Sequence, residues 1–230
     1  MDTVIGCEGS NKVLLTFRFE HCSFMMAYLL DSKEARNVKN KFDYLERTVG
    51  TIVFASSFSV ILTDRGGEFR DPFALDRGQD NLVRTSVYYC TPMCSWQKPH
   101  CKKNQEYIRK VYPKGTSFDS YSQSDINKLM IHINSTPRKS LGGLSPMMLA
   151  KLTLPHELLD YFGLYEMPAG RITLTPALLK NQIHCAPLFR RIHRNTMLAP
   201  VLSFLYTSYK ISVHILAWFP NHSDQNFPNK

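Results

Sequence analysis

Met1–Leu30 reads MDTVIGCEGSNKVLLTFRFEHCSFMMAYLL, and three β-rich runs are visible in it. Residues 1–6 form the first. Lys12–Glu20 and Ser23–Leu30 follow, parted by a short polar turn, and read as a hairpin. Outward from this stretch, Ser32–Thr48 spaces Ala35, Val38, Phe42 and Leu45 by three and four, the stripe of an amphipathic helix, with Asp31 or Ser32 as its cap. Ser59–Thr63 (SVILT) is a short apolar strand, followed by Asp64 and the chain-turning pair Gly66–Gly67. Thr85–Cys90 is another strand. Helices are expected from Pro99 to about Tyr112 and from Gln123 to Asn134. A shorter one runs from Ser145–Pro146 to Leu152, because proline is favoured at a first helical position. Three strands, a helix, two strands and further helices describe an α/β domain: a central mixed sheet led by an antiparallel hairpin and flanked by helices.

Composition sets the outer bounds. The 230 residues are 43% hydrophobic and 20% charged, enough to bury a core and unlike a disordered chain. The net charge of +9 fits either a polyanionic partner, whose phosphates release counterions to Lys and Arg, or a solubilising surface. Six cysteines lack framework spacing and the N-terminus lacks the basic and apolar regions of a secretory signal, so free thiols in a reducing cytoplasm are expected. Cys90, Cys94, His100 and Cys101 could be read as a zinc cluster, but their spacing is not that of paired CxxC knuckles. Met197–Phe219 is apolar yet interrupted by Pro200, Lys210 and His214, short of the ~18 uncharged residues of a spanning helix. No membrane partner and no small-molecule substrate are expected. The pattern changes after Lys180, where prolines and basic residues scatter without a period.

Two acids stand where strands begin or end, Asp2 and Asp64. Functional groups of an open α/β sheet gather at such ends. An aspartate before a glycine-rich turn is also a common turn cap.

The surrounding words add to this. ILTDRGGEF (61–69), YYCTPMCSWQKPHC (88–101), YPKGTSFD (112–119), IHINSTPRKSLGGLSP (131–146) and PALLK (176–180) follow MDTVIG in one order. Together they resemble the transposases of the insertion-sequence-thirty family, over about residues 1–180. The resemblance implies an integrase catalytic core of RNase H-like fold over residues 1–152. A helical extension over 153–184 and an irregular tail over 185–230, disordered or frame-shifted, would follow. It also implies DNA transposition and integration by a DDE site, in which two aspartates and a glutamate hold two divalent ions, Mg²⁺ or Mn²⁺. The aspartates fall on Asp2 and Asp64. The glutamate position falls on Lys102, in HCKKNQEYIR, where a cation supplies no ligand. Weak metal binding and impaired catalysis are therefore expected.

Three other residues and the start of the chain bear on that expectation. Glu106 lies about 6 Å further along the helix axis, and Glu68 belongs to the family's own GGEF word, so neither replaces the missing acid. Arg65 stands where the family commonly has asparagine, either pairing with Asp64 or pointing outward. The chain begins one residue before Asp2, without the family's preceding helix-turn-helix region, so the first strand is expected to fray.

Lys98, Lys103, Arg109, Lys110, Lys114, Arg138 and Lys139 are the candidate phosphate contacts, alongside Lys102 itself. Trp96, Tyr107 and Tyr112 are interleaved with them, either to stack on bases or to pack in the core. Expected partners are DNA, both transposon ends and target, with homo-oligomers or an intact transposase as further possibilities. The expected location is the bacterial cytoplasm, at the nucleoid. The alternative is a non-catalytic DNA-binding or transposase-interacting remnant.

Overall fold

A computed structural model describes residues 1–91 and 99–180; the side chains of 99–104 and 180 fall outside that description. The chain divides into two units, Met1–Gln182 and Ile183–Lys230, the second lying outside the described residues. The expectations for the 185–230 tail and for Met197–Phe219 therefore fall there too. Among the described residues no helix is long and apolar enough to cross a membrane.

The leading stretch folds as a meander of β1 (Asp2–Ile5), β2 (Val13–Arg18) and β3 (Met25–Leu30), antiparallel throughout. Thr16 is paired with Asp2 on one side and Ala27 on the other. Val13 to Phe17 are all buried, so the central strand is covered on both faces and shows no alternation. After the crossover come β4 (Val60–Thr63) and β5 (Ser86–Tyr89), a parallel pair. The Met1 nitrogen donates to the Leu62 carbonyl over 2.8 Å, tying the edge of β1 to β4. Met1 is buried. A hydrogen bond and apolar burial thus both hold the residue at the start of the strand expected to fray.

Helix α1 (Ala35–Val49) buries Val38, Phe42, Leu45 and Val49 along its apolar stripe. It starts after Glu34, without a side-chain cap, rather than at the expected Asp31 or Ser32; Ser32 is instead bonded by the Asn37 amide. Gly50, at φ +90°, ends α1 in a conformation that residues with a Cβ rarely adopt, and α2 (Thr51–Ser57) starts beside it. Between β4 and β5 lie a 3-10 turn (Gly67–Phe69) and α3 (Pro72–Asp76), whose Asp71 caps the Ala74 nitrogen. Arg84 is fully buried there and donates to Asp43, Glu46 and the carbonyls of Ala74 and Leu75. It sits within 5.6 Å of the ring centres of Phe42 and Phe54. It locks the segment before β5 onto α1.

The covering helices are α4 (Pro99–Val111), α5 (Gln123–Ser135), α6 (Pro146–Thr153), α7 (His156–Tyr161) and α8 (Ala177–Lys180). A capping box of Ser122 and Asp125 starts α5. Ser145 caps α6, with Pro146 in its first turn as the sequence suggested. Two amides from α5 bond the open edge of β3. Gln123 accepts from Leu29 N and donates to Ala27 O, and Asn134 accepts from Met25 N and donates to Met25 O. The result is a mixed α/β unit with a three-stranded antiparallel sheet, a two-stranded parallel pair and flanking helices.

Candidate functional site

Asp2 opens β1 and is half-buried; Asp64 follows β4 directly and is exposed. They lie one and two residues from the Met1–Leu62 bond, so each leaves the sheet close to where the two strand edges join. One oxygen of Asp2, Oδ1, accepts from the Thr3 nitrogen, and the other, Oδ2, accepts from the Gln105 amide over 2.6 Å. Asp64 Oδ1 accepts from the Gly66 nitrogen at 3.0 Å, a turn-capping bond. The turn cap and the candidate ligand are therefore the same side chain.

Glu68 is buried, accepting from Thr3 Oγ1 at 2.6 Å, with the Lys33 ammonium at 3.4 Å from the same oxygen. Its bonds lead to Thr3, the neighbour of Asp2, and to α1's leading loop. Glu106 and Arg65 are exposed. Lys102 falls within α4, three residues before Gln105, but its side chain lies outside the described residues, as does that of Lys103; Lys98 lies wholly outside. Of the suggested zinc cluster, Cys90 is buried, while Cys94 and the side chains of His100 and Cys101 lie outside the described residues.

No family model matches the chain. It is similar to the transposase for insertion sequence element IS4351 of Bacteroides fragilis, 27% identical over 146 residues, which are 64% of this chain and 42% of that protein. Over 61 residues, 26% of this chain and 18% of the relative, it is 36% identical to the transposase for element IS1086 of Cupriavidus metallidurans. The transposase InsI for element IS30A of Escherichia coli strain K12 matches at 29% over 103 residues, 39% of this chain and 27% of that one. The chain is related to the transposases of insertion-sequence-thirty type. It spans less than half the length of these relatives.

In this transposase relative the basic candidates separate into two groups. Arg109 is half-buried and donates to the Ile5 carbonyl over 2.7 Å, pinning α4 to the far end of β1. Arg138 is buried, its guanidinium 4.8 Å from the Tyr107 ring centre, and burial pulls its pKa down. Both hold elements together. Lys110, Lys114 and Lys139 are exposed. Lys110 also lies 4.9 Å from the Tyr107 ring centre, so two cations attend that ring. Tyr112 is fully buried between Phe118 and Tyr121, with centroid distances of 5.1 and 4.8 Å, and serves the core. Trp96 lies outside the described residues. The sequence did not single out Gln105. Only the packing of α4 along β1 shows which of its residues meets Asp2, and no local pattern carries that information.

Proposed function

We propose that this chain is a DNA-acting transposase catalytic core of RNase H-like type whose cleavage and strand-transfer chemistry is disabled. The single observation that carries the reading is the bond from the Gln105 amide to Asp2 Oδ2. It supports α4 as the helix facing the first aspartate, where the resemblance expects the third acid, and the sequence there has Lys102.

The residues present do not fit a pair of divalent ions. Among the described residues no group of three or more His, Cys, Asp or Glu could hold a metal. Asp2 already accepts from two protein nitrogens. Replacing a carboxylate by an ammonium also reverses an interaction worth about 4 kcal/mol per unit-charge pair at 4 Å and an effective dielectric of 20, roughly doubled for a divalent ion. No metal-dependent step is assigned to this chain.

Binding is a separate matter. Exposed Lys110, Lys114 and Lys139, with a net charge of +9, favour a second reading in which the chain binds DNA, or an intact transposase, without cutting. A bacterial cytoplasmic location at the nucleoid follows from either.

Cleavage of DNA carrying the terminal inverted repeats of a related insertion sequence element, in Mg²⁺ or Mn²⁺, tests the reading with the natural chain beside Lys102→Glu. The natural chain is expected to bind and leave the strands intact. Equal cleavage by both proteins overturns the account of Lys102. A steep loss of binding with salt, without cleavage by either protein, supports the binding reading.

A further inference from the structure

Two adjoining hollows lie away from Asp2 and use none of the residues described around it. The larger, about 520 Å³, is lined by Lys12, Tyr28, Lys41, Tyr44, Tyr121 and Tyr161 among others. The smaller, about 360 Å³, continues from the shared Lys41 and Tyr44 to Arg47 and Gln79. Because the two share side chains, they form one groove. Its floor on α1 is the stripe Asn40/Lys41, Tyr44, Arg47, residues three and four apart on one helix face.

The groove's chemistry is selective. Lys12, Lys41 and Arg47 line it against Asp31 and Asp43. Asp43 is already held by Lys39 at 2.5 Å and Arg84 at 2.7 Å, so its charge is spent within the fold. Two of its amides are engaged as well: Gln123 bonds β3 and Asn127, and Asn127 donates to Phe162 O. The Tyr28 hydroxyl donates to that of Tyr161. Beside Asp31, Asn40 and Gln79, the groove offers a ligand aromatic surface and the charges of Lys41 and Arg47, with Lys12 donating to the Tyr121 carbonyl at 3.3 Å. Tyr44 is 46% exposed, with the Arg47 guanidinium 5.7 Å from its ring centre and Tyr161 at 6.1 Å. Aromatic rings interleaved with cations suit unpaired nucleotides held by stacking and phosphate contact whatever their sequence.

We infer that this groove is a second nucleic-acid site, one that takes single-stranded DNA. The inference rests on the DNA-acting reading above and names a different surface for it. The full chain is titrated with fluorescent oligothymidylate and, separately, with duplex DNA, beside Tyr44→Ala and Arg47→Ala. Tyr44→Ala is expected to weaken single-strand binding about tenfold, the loss of one stacked base, and leave duplex binding unchanged. Arg47→Ala is expected to lower the salt slope for the single strand by about 0.7. Duplex binding with a single-strand affinity indifferent to both substitutions overturns the groove and leaves the DNA-acting reading standing. Failure of the natural chain to bind either nucleic acid overturns both. Sedimentation is run alongside: if the substitutions dissociate a dimer and leave DNA binding alone, the groove is a contact between copies and the inference falls.

Discussion

The Gln105 side chain reaches across from α4 to donate to Asp2 Oδ2 over 2.6 Å, and the Arg109 guanidinium, one turn further on, donates to the carbonyl of Ile5 over 2.7 Å. One helix is thereby bonded to both ends of the strand it covers. A neutral amide fills a position beside the carboxylate, which makes Asp2 a structural acceptor whatever else it does.

Removing that amide should be felt in stability before anything else. Gln105→Ala is expected to cost about 1.5 kcal/mol, the lower end for a bond to a charged group, since Asp2 is half-buried and water can partly replace it. Urea unfolding checks this; an unchanged midpoint would show that the bond contributes nothing.

Arg84 carries a larger share. Its side chain is fully buried and its two carboxylate partners, Asp43 and Glu46, are nearly so. Arg84→Met should destabilise by roughly 3–5 kcal/mol, because it strands acids that the fold has already desolvated. Adding Asp43→Asn and Glu46→Gln to it should recover part of the loss. A triple variant no more stable than the single one would refute the assignment.

His132 gives the chain a pH dependence. Burial, with the nearby Lys128 charge, pushes its pKa below the ordinary value, and its Nδ1 accepts from the Thr173 nitrogen at 3.0 Å, a bond the neutral ring alone can make. Above about 6.5, the ordinary histidine value, folded and unfolded states are both neutral at this site and its contribution is whole. As pH falls below that, the unfolded chain takes up the proton first, so stability is lost toward the lowered folded value. Thermal melts between neutral and mildly acid pH should show that decline, and His132→Asn should flatten it. Parallel declines in the two proteins would assign the effect elsewhere.

Asn134 satisfies both backbone groups of Met25 from a fully buried position. Asn134→Leu leaves an orphan N–H and an orphan C=O, each costing about 1–3 kcal/mol. The expected loss is therefore roughly 2–6 kcal/mol in chemical denaturation, against a small effect for the exposed Lys139→Leu. Similar losses for the two would contradict the pairing.

What the sequence disclosed was what short-range pattern encodes. β2 and β3 stand out as continuous apolar runs, α1 by the spacing of its stripe, and α6 because Ser145–Pro146 is a start signal in itself. α2, α3 and α7 were not legible: each has five to seven residues and buries one or two side chains, too few to show a period. At the candidate site, Asp2 and Asp64 were marked by their strands and words. Gln105 was not, and neither were the burial of Arg138 and the binding of Arg109 to a carbonyl, since these depend on how α4 and α5 sit against the sheet. A basic residue in a basic stretch reads the same whether it faces solvent or a ring.

The amides of Gln123 and Asn134 have a consequence beyond their energy. A sheet's last strand ordinarily exposes a row of donors and acceptors that a strand from another molecule can zip onto. On β3 the outward N–H and C=O of Met25, the C=O of Ala27 and the N–H of Leu29 are already bonded to α5. That side of the sheet cannot be extended without first prising a helix away, so crowded or concentrated copies of this chain are shielded there from fibre-like stacking.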